Sequence, residues 1–459
     1  MKTNSGSITR RDFCGHTLAY AAACGFMARQ GFGAEGAADS GRRLNVACIG
    51  LGGQMGSDLR EVAVALRQNV VALCDVEVGR MADMKRSVGE VAGAREYKDY
   101  RKLLESEKAL DAVVIATPDH WHAPICKAAM LAGKHVYCEK PLTHAVAEAR
   151  ELRKLARRTK VVTQTGNQGA ASGNFRRSME LIQAGVLGPV REVHTWHPVH
   201  GWPSGDDRPA GEDPIPAGFD WDFWVGPAPM RPYKQRIYHP AQWRGWYDFG
   251  NGSVGDFCCH AFSLPVRALQ LEYPTKIEVS GTGLGKESFA RSCRVVYHFP
   301  AQAGRTAVKI SFTSGGEMPP AEATVGMKET FGNVPSTGCL LIGEKGTLSA
   351  GLWNNECYLK MNGEAKFRGG DNHDAAKAVS QTLPRTRSHM GEWVDACLGG
   401  PKTFSDFEVG GHVTEIGLAG TVALRVGHDI DWDGPRMKAK GVREADLIVK
   451  PKYRAGWNS

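Results

Sequence analysis

No run in the 459-residue sequence approaches the ~18 consecutive apolar residues of a membrane-crossing helix, so no membrane span is expected. None of the 12 cysteines forms a CxxC pair, which removes zinc ribbons and thioredoxin-type redox chemistry. Excess charge is also scarce. The 57 Lys and Arg nearly cancel the 49 Asp and Glu, leaving +8 with no basic stripe, so a nucleic-acid partner is not expected. Hydrophobic residues at 42% and charged residues at 23% sit near the globular average, which excludes a disordered chain, a collagen-like repeat and a disulfide-dense miniprotein. The one excess is glycine, at 55 residues.

Ser7-Ile8-Thr9-Arg10-Arg11-Asp12-Phe13 precedes a modestly apolar stretch, residues 17–28, and then small residues, 31–38. A charged front, a short apolar core and small residues behind it describe an export signal over residues 1–38. The Arg pair followed by Phe resembles a twin-arginine signal, which carries folded proteins. The competing reading is a disordered basic tail. Ala21-Ala22-Ala23-Cys24-Gly25 also loosely resembles a lipoprotein cleavage box with Cys24 acylated, although Leu is missing at its start. The expected location is periplasmic or otherwise extracytoplasmic. Cys48, Cys74 and Cys138 lie in apolar runs that read as central strands, where Cys behaves as a small hydrophobe. Mostly free thiols follow.

Leu44–Ile49 is a short buried-strand pattern running into Gly50-Leu51-Gly52-Gly53-Gln54-Met55-Gly56. Leu59, Val62, Ala63 and Leu66 then recur at helical spacing, and residues 70–74 form a second apolar strand ending in Asp75. Strand, glycine turn, helix, strand and acid make up a dinucleotide-binding unit. Gly50 permits the tight turn and Gly52 lets backbone approach a pyrophosphate, with the helix-start amides facing its charge. Asp75 can accept from both adenosine-ribose hydroxyls and repels a 2′-phosphate. Val76-Glu77 supplies no Arg to hold one, so NAD is favoured over NADP. Glycine falls at the sixth position after Gly50, as Gly56, rather than the fifth.

Strands and helices continue to alternate to residue 165, which argues for a doubly wound parallel sheet. Thr117-Pro118, Glu139-Lys140-Pro141 and Gly166-Asn167-Gln168 fall at strand ends, where ligands sit in such folds.

Glu139-Lys140-Pro141, following Ala132-Gly133-Lys134-His135-Val136, resembles the Gfo/Idh/MocA family, the glucose-fructose oxidoreductase and inositol dehydrogenase group. Thr117-Pro118-Asp119-His120-Trp121-His122 is similar to its exported, twin-arginine branch. So are residues 243–252, the segment Gly255-Asp256-Phe257-Cys258-Cys259-His260, residues 389–397 and residues 453–457. The resemblance implies a Rossmann domain, residues 42–168, followed by an α+β domain, residues 169–459. The second domain would carry a large open, mostly antiparallel sheet for substrate binding and for homodimer or homotetramer assembly. Alternating strands near residues 277–280, 294–299 and 307–312 support that half independently, and two late helices are expected near 389–398 and 412–426.

Asp256 and His260 stand four apart, so on a helix they share one face. The resemblance places Lys140 beside them at the nicotinamide. In that arrangement His260 is the base, Lys140 steadies the reacting oxygen, and Asp256 orients the imidazole or shares in proton transfer. The cofactor is expected to touch Gly50, Gly52, Gly53, Gln54, Met55, Asp75, Thr117, Pro118, His120, Trp121, His122, Glu139, Lys140 and Gln168. Residues 194–246 are rich in aromatics, and Tyr238, His239 and Trp243 are the expected substrate contacts beside Lys140, Asp256 and His260. No metal is assigned, although Asp256 and His260 with His120, His122 or His239 form the set to check.

Three function classes stand. The leading one is an NAD-dependent oxidoreductase of a sugar, glycoside or cyclitol. The second is a glycoside hydrolase or lyase that uses tightly held NAD for transient oxidation and elimination. The third is a non-catalytic sugar or nucleotide binder.

Overall fold

Residues 45–166 alternate short β-branched runs with helices, and they assemble as the alternation dictates. Six strands, β1 (Asn45–Ile49), β2 (Asn69–Cys74), β3 (Arg95–Tyr97), β4 (Ala112–Ile115), β5 (His135–Glu139) and β6 (Thr163–Gly166), form one sheet in the order β3-β2-β1-β4-β5-β6. Every pairing is parallel. β4 is buried along its whole length, as a strand covered by helices on both faces must be. The order reverses between β1 and β4, which opens a crevice at their carboxyl ends. The computed structural model describes residues 41–198 and 201–457. The expected export signal and Cys24 lie outside them.

The second sheet has ten strands: β7 (Val190–His197), β8 (Lys276–Thr282), β9 (Ser292–Phe299), β10 (Val308–Ser314), β11 (Gly338–Gly343), β12 (Gly346–Ser349), β13 (Tyr358–Met361), β14 (Arg368–Gly369), β15 (Ile430–Asp433) and β16 (Lys438–Ala439). Their order is β14-β13-β12-β11-β7-β10-β9-β8-β15-β16. The β7–β10 pair is parallel and the other pairs are antiparallel. Its antiparallel strands alternate, as β9 shows with Cys293, Val295, Tyr297 and Phe299 buried.

Helix Phe407–Val426 joins the two sheets by packing on helix Val146–Thr159 and on helix Gly252–Ala261. It begins five residues before the sequence pattern indicates, because the Asp406 carboxylate accepts from Val409 N at 2.9 Å and caps it there. Between the first two of these helices lies a charged seam. Glu415, 1% exposed, accepts from Arg150 Nη2 at 2.6 Å and Arg153 Nη1 at 2.7 Å. Helix His389–Cys397 lies late in the chain yet buries Met390, Trp393 and Val394 in the core of the first sheet. All ten cysteines among the described residues are buried and free. Among those residues, no helix is long and apolar enough to cross a membrane.

Candidate active site

The glycine turn after β1 is shaped for a pyrophosphate. Gly50 adopts φ +79°, and a Cβ there would lie 2.8 Å from Thr117 Cα, so the β1 and β4 loops meet with no room for a side chain. Among the described residues, the amides of Gly52, Gly53 and Gln54 donate to no protein acceptor. Met55 is fully buried in the core, so only its backbone faces the loop, and the Gln54 side-chain amide donates from Nε2 to Asp58 Oδ1 at 3.0 Å. Gly56 meets little but the Arg60 side chain at 3.6 Å, so it is not a close helix–strand contact. Asp75 accepts from Leu51 N at 2.6 Å and Glu77 N at 2.8 Å. Burial raises its carboxyl despite these bonds.

Val76 and Glu77 supply no Arg, but Arg80 reaches this end of the loop. Arg80, five residues past Asp75, lays its guanidinium over the loop, where a Cβ on Gly52 would be 2.6 Å from Nη1. It is held by Glu77 at 2.5 Å and by the His239 ring at 3.1 Å, and that ring also meets Glu77 at 3.0 Å. The His239 bond, opposed by burial and helped by Arg80, lowers Glu77 to about 2. Backbone bonds from Val78 N to Gly218 O and from Asp220 N to Val76 O lay residues 218–220 over the same edge. His239 therefore belongs to a roof over the Asp75 edge.

Lys140 ends β5 and reaches helix Gly252–Ala261. Its Nζ lies 3.0 Å from Asp256 Oδ1, with side chains 10% and 6% exposed. His260 sits one turn further along, 4% exposed, and its ring makes no hydrogen bond among the described residues. Burial would raise the Asp256 carboxyl, but the charges of Lys140 and Arg244 and the Lys140 hydrogen bond outweigh it and leave it lowered. Burial first, then the Lys140 charge, pushes the His260 imidazole down to about 3. The ring is thus neutral at working pH. A ¹⁵N spectrum of the His260 ring should show a neutral imidazole at about pH 5, well below the ordinary ~6.5. A cationic ring there would contradict this geometry.

Glu139, packed under Lys140, accepts from Gln168 Nε2 at 2.7 Å. Burial raises it to about 7. His122 bridges Pro141 O at 2.7 Å and Thr117 O at 2.9 Å, tying the β4 and β5 loops together. It positions those loops. His120 faces the carbonyls of Phe249 and Trp224 at 3.3 and 3.0 Å, and the Trp121 indole donates to Trp224 O at 3.0 Å. Both are buried, with these ring nitrogens turned to backbone carbonyls. Thr117 Oγ1 is buried without a partner beside Gly50, and Pro118 starts the following helix.

The expected aromatic contacts move as well. Tyr238 is 1% exposed inside a cluster with Trp221, Trp246 and Phe249, and Trp243 is 5% exposed beneath the Arg244 guanidinium at 4.2 Å. Both rings pack against protein side chains. Other residues stand around the Lys140–Asp256 pair. His197 stacks on Phe257 at 3.7 Å, Trp202 lies parallel to the same ring at 6.0 Å, and Arg244 Nε comes within 3.9 Å of Asp256. The exposed Trp353 lies 6.4 Å from the His260 ring. Arg244 had a sequence signal, a lone cation between two tryptophans, whereas Trp353 had none. Among the described residues, no group of three His, Cys, Asp or Glu side chains could hold a metal.

Residues 44–167 match the family model described as an oxidoreductase family with an NAD-binding Rossmann fold, and residues 180–304 match that family's C-terminal alpha/beta domain. The chain is 30% identical over 158 residues to an inositol 2-dehydrogenase of Salmonella typhimurium, 34% of this chain and 46% of that one. It is 40% identical over 107 residues to a glycosyl hydrolase family 109 protein of Stenotrophomonas maltophilia, 22% of this chain and 23% of that one. These matches span less than half the length of the curated relatives. The WlbA dehydrogenase of Bordetella pertussis, crystallised with NADH and UDP-GlcNAcA, shares the fold with a TM-score of 0.60 at 16% identity, covering 85% of this chain and 99% of that one.

Proposed function

Because the chain belongs to the Gfo/Idh/MocA family of NAD-binding oxidoreductases, we propose that it moves hydride between nicotinamide and a secondary hydroxyl or ketone of a sugar, glycoside or cyclitol. The observation that carries this reading is the Lys140–Asp256 pair with His260 one turn on, at the carboxyl end of β5. The unspent amides of Gly52, Gly53 and Gln54 and the partnerless Thr117 hydroxyl fit a dinucleotide. Bound NAD supplies the hydride acceptor. Lys140 Nζ donates to the substrate oxygen and stabilises its growing negative charge. His260, neutral, accepts the hydroxyl proton. A ring so reluctant to carry charge takes the proton only as the hydride departs and the hydroxyl turns acidic. Asp256 holds Lys140 in place. Trp202, Trp353 and Arg244 offer stacking faces and donors to a ring bearing hydroxyls.

The Asp75 and Glu77 carboxylates favour NAD over NADP, since Glu77 already engages the one nearby guanidinium. A second reading, a glycoside hydrolase or lyase with retained NAD, draws on the family 109 similarity and on the roof over the ribose seat. In it, transient oxidation acidifies a neighbouring C–H and lets the glycosidic bond leave, with no net redox change. Export as a folded, cofactor-loaded protein through the twin-arginine route suits either reading, as does assembly into a homodimer or homotetramer through the open ten-stranded sheet. Mass spectrometry of the denatured protein should show released NAD. Net NADH from a sugar and cyclitol panel supports the first reading, and glycoside cleavage without NADH supports the second. A protein that carries and binds no nicotinamide cofactor contradicts both.

A further inference from the structure

A second cavity, of about 110 Å³, lies where the end of helix Phe407–Val426 meets residues 144–148 and the segment 447–453. Lys140, Asp256 and His260 do not line it. We propose that it binds a small monocarboxylate with a short aliphatic tail, the carboxylate held by Arg425 and Thr421.

Leu418, Thr421, Val422 and Arg425 all line the cavity, and their spacing of three, one and three places them on one helix face. The two polar members lie one turn apart. Thr421 is 4% exposed and its Oγ1 has no hydrogen-bond partner. Arg425 is partly buried and rests 4.6 Å over the Tyr247 ring. Among the described residues it has no ion pair and donates no hydrogen bond. A cation in the last turn of a helix is favourable in its own right. That reason requires neither a sunken guanidinium nor a stripped hydroxyl beside it.

The acids of the wall are already engaged. Glu148 accepts from Tyr453 Oη at 2.7 Å, Ala145 N at 2.9 Å and His144 N at 3.1 Å, and Asp248 pairs with Arg231. Burial lowers the Arg425 guanidinium, with Tyr247 and then Asp248, itself paired with Arg231, offsetting only part of that. A carboxylate meets its planar fork with two parallel bonds. Val146, Leu418, Val422 and Ile448 give the wall an apolar stretch, and Lys452 adds a second cation to it. A cavity of about 150 Å³ takes up benzene in another protein, so this one suits an acid of four or five carbons. Inorganic phosphate has no aliphatic tail for that apolar stretch.

The test is calorimetric titration of the full chain with sodium butyrate at fixed ionic strength, with n-butanol and inorganic phosphate as comparisons. Saturable one-site butyrate binding is expected, weakened at least about tenfold in Arg425→Gln and about tenfold in Thr421→Val, with neither comparison binding. Should Arg425→Gln fail to fold, Thr421→Val carries the comparison. Absent butyrate binding, equal affinity in the variants, or preference for phosphate or butanol would overturn the proposal.

Discussion

Lys140→Ala should lower kcat/KM by about 10³-fold, the scale on which a preorganised donor acts on developing charge, while NAD stays bound. The expectation rests on the place of Lys140 in the fold. Its Nζ meets Asp256 at 3.0 Å, whereas the proposed pyrophosphate seat is the glycine amides and the proposed ribose seat is Asp75. Removing the ammonium should spare both seats and leave the Asp256 carboxylate without its nearest cation. Comparing released NAD with turnover separates the two effects. Activity within a few-fold of the parent would show that another group stabilises the oxygen. Loss of NAD together with activity would place Lys140 in cofactor binding.

Glu415→Ala should cost roughly 3 kcal/mol of folding stability, because removing one partner of a buried pair strands the other charges. Two arginines converge on this carboxylate. Arg150 donates from Nε at 2.9 Å and Nη2 at 2.6 Å, Arg153 adds Nη1 at 2.7 Å, and Tyr273 Oη lies at 3.3 Å. The seam ties a helix of the first sheet to the helix that backs the catalytic one. Urea denaturation of the parent, Glu415→Gln and Glu415→Ala should give falling midpoints in that order. An unchanged midpoint in the alanine variant would mean that solvent or repacking replaces the network.

The first half of the molecule was legible because its signals are local. A buried strand, a glycine turn and an acid at a fixed distance follow from backbone constraints within some thirty residues, and the Gly50–Thr117 contact shows why the glycine is there. Asp256 and His260 were legible through helical spacing and Lys140 through its strand-end position. Their meeting with one another came from the family resemblance, since no local pattern places residue 140 beside residue 256. The misplacements share one cause. Aromatic composition does not say which way a ring faces, so Tyr238 and Trp243 read as substrate contacts although they fill a core. His239 and Arg80 meet across 159 positions, and neither carries a sign of it in sequence. His120, Trp121 and His122 open the helix that follows β4, and their ring nitrogens face backbone carbonyls that only the assembled fold supplies.

Hydride transfer to nicotinamide at the Lys140–Asp256–His260 cleft is tested by turnover of sugars, glycosides and cyclitols deuterated at each carbinol carbon, followed by mass spectrometry of the cofactor recovered from the protein. Deuterium on the nicotinamide ring from one labelled position, absent in Lys140→Ala, is the result predicted. Substrate conversion with an unlabelled nicotinamide from every position would contradict it.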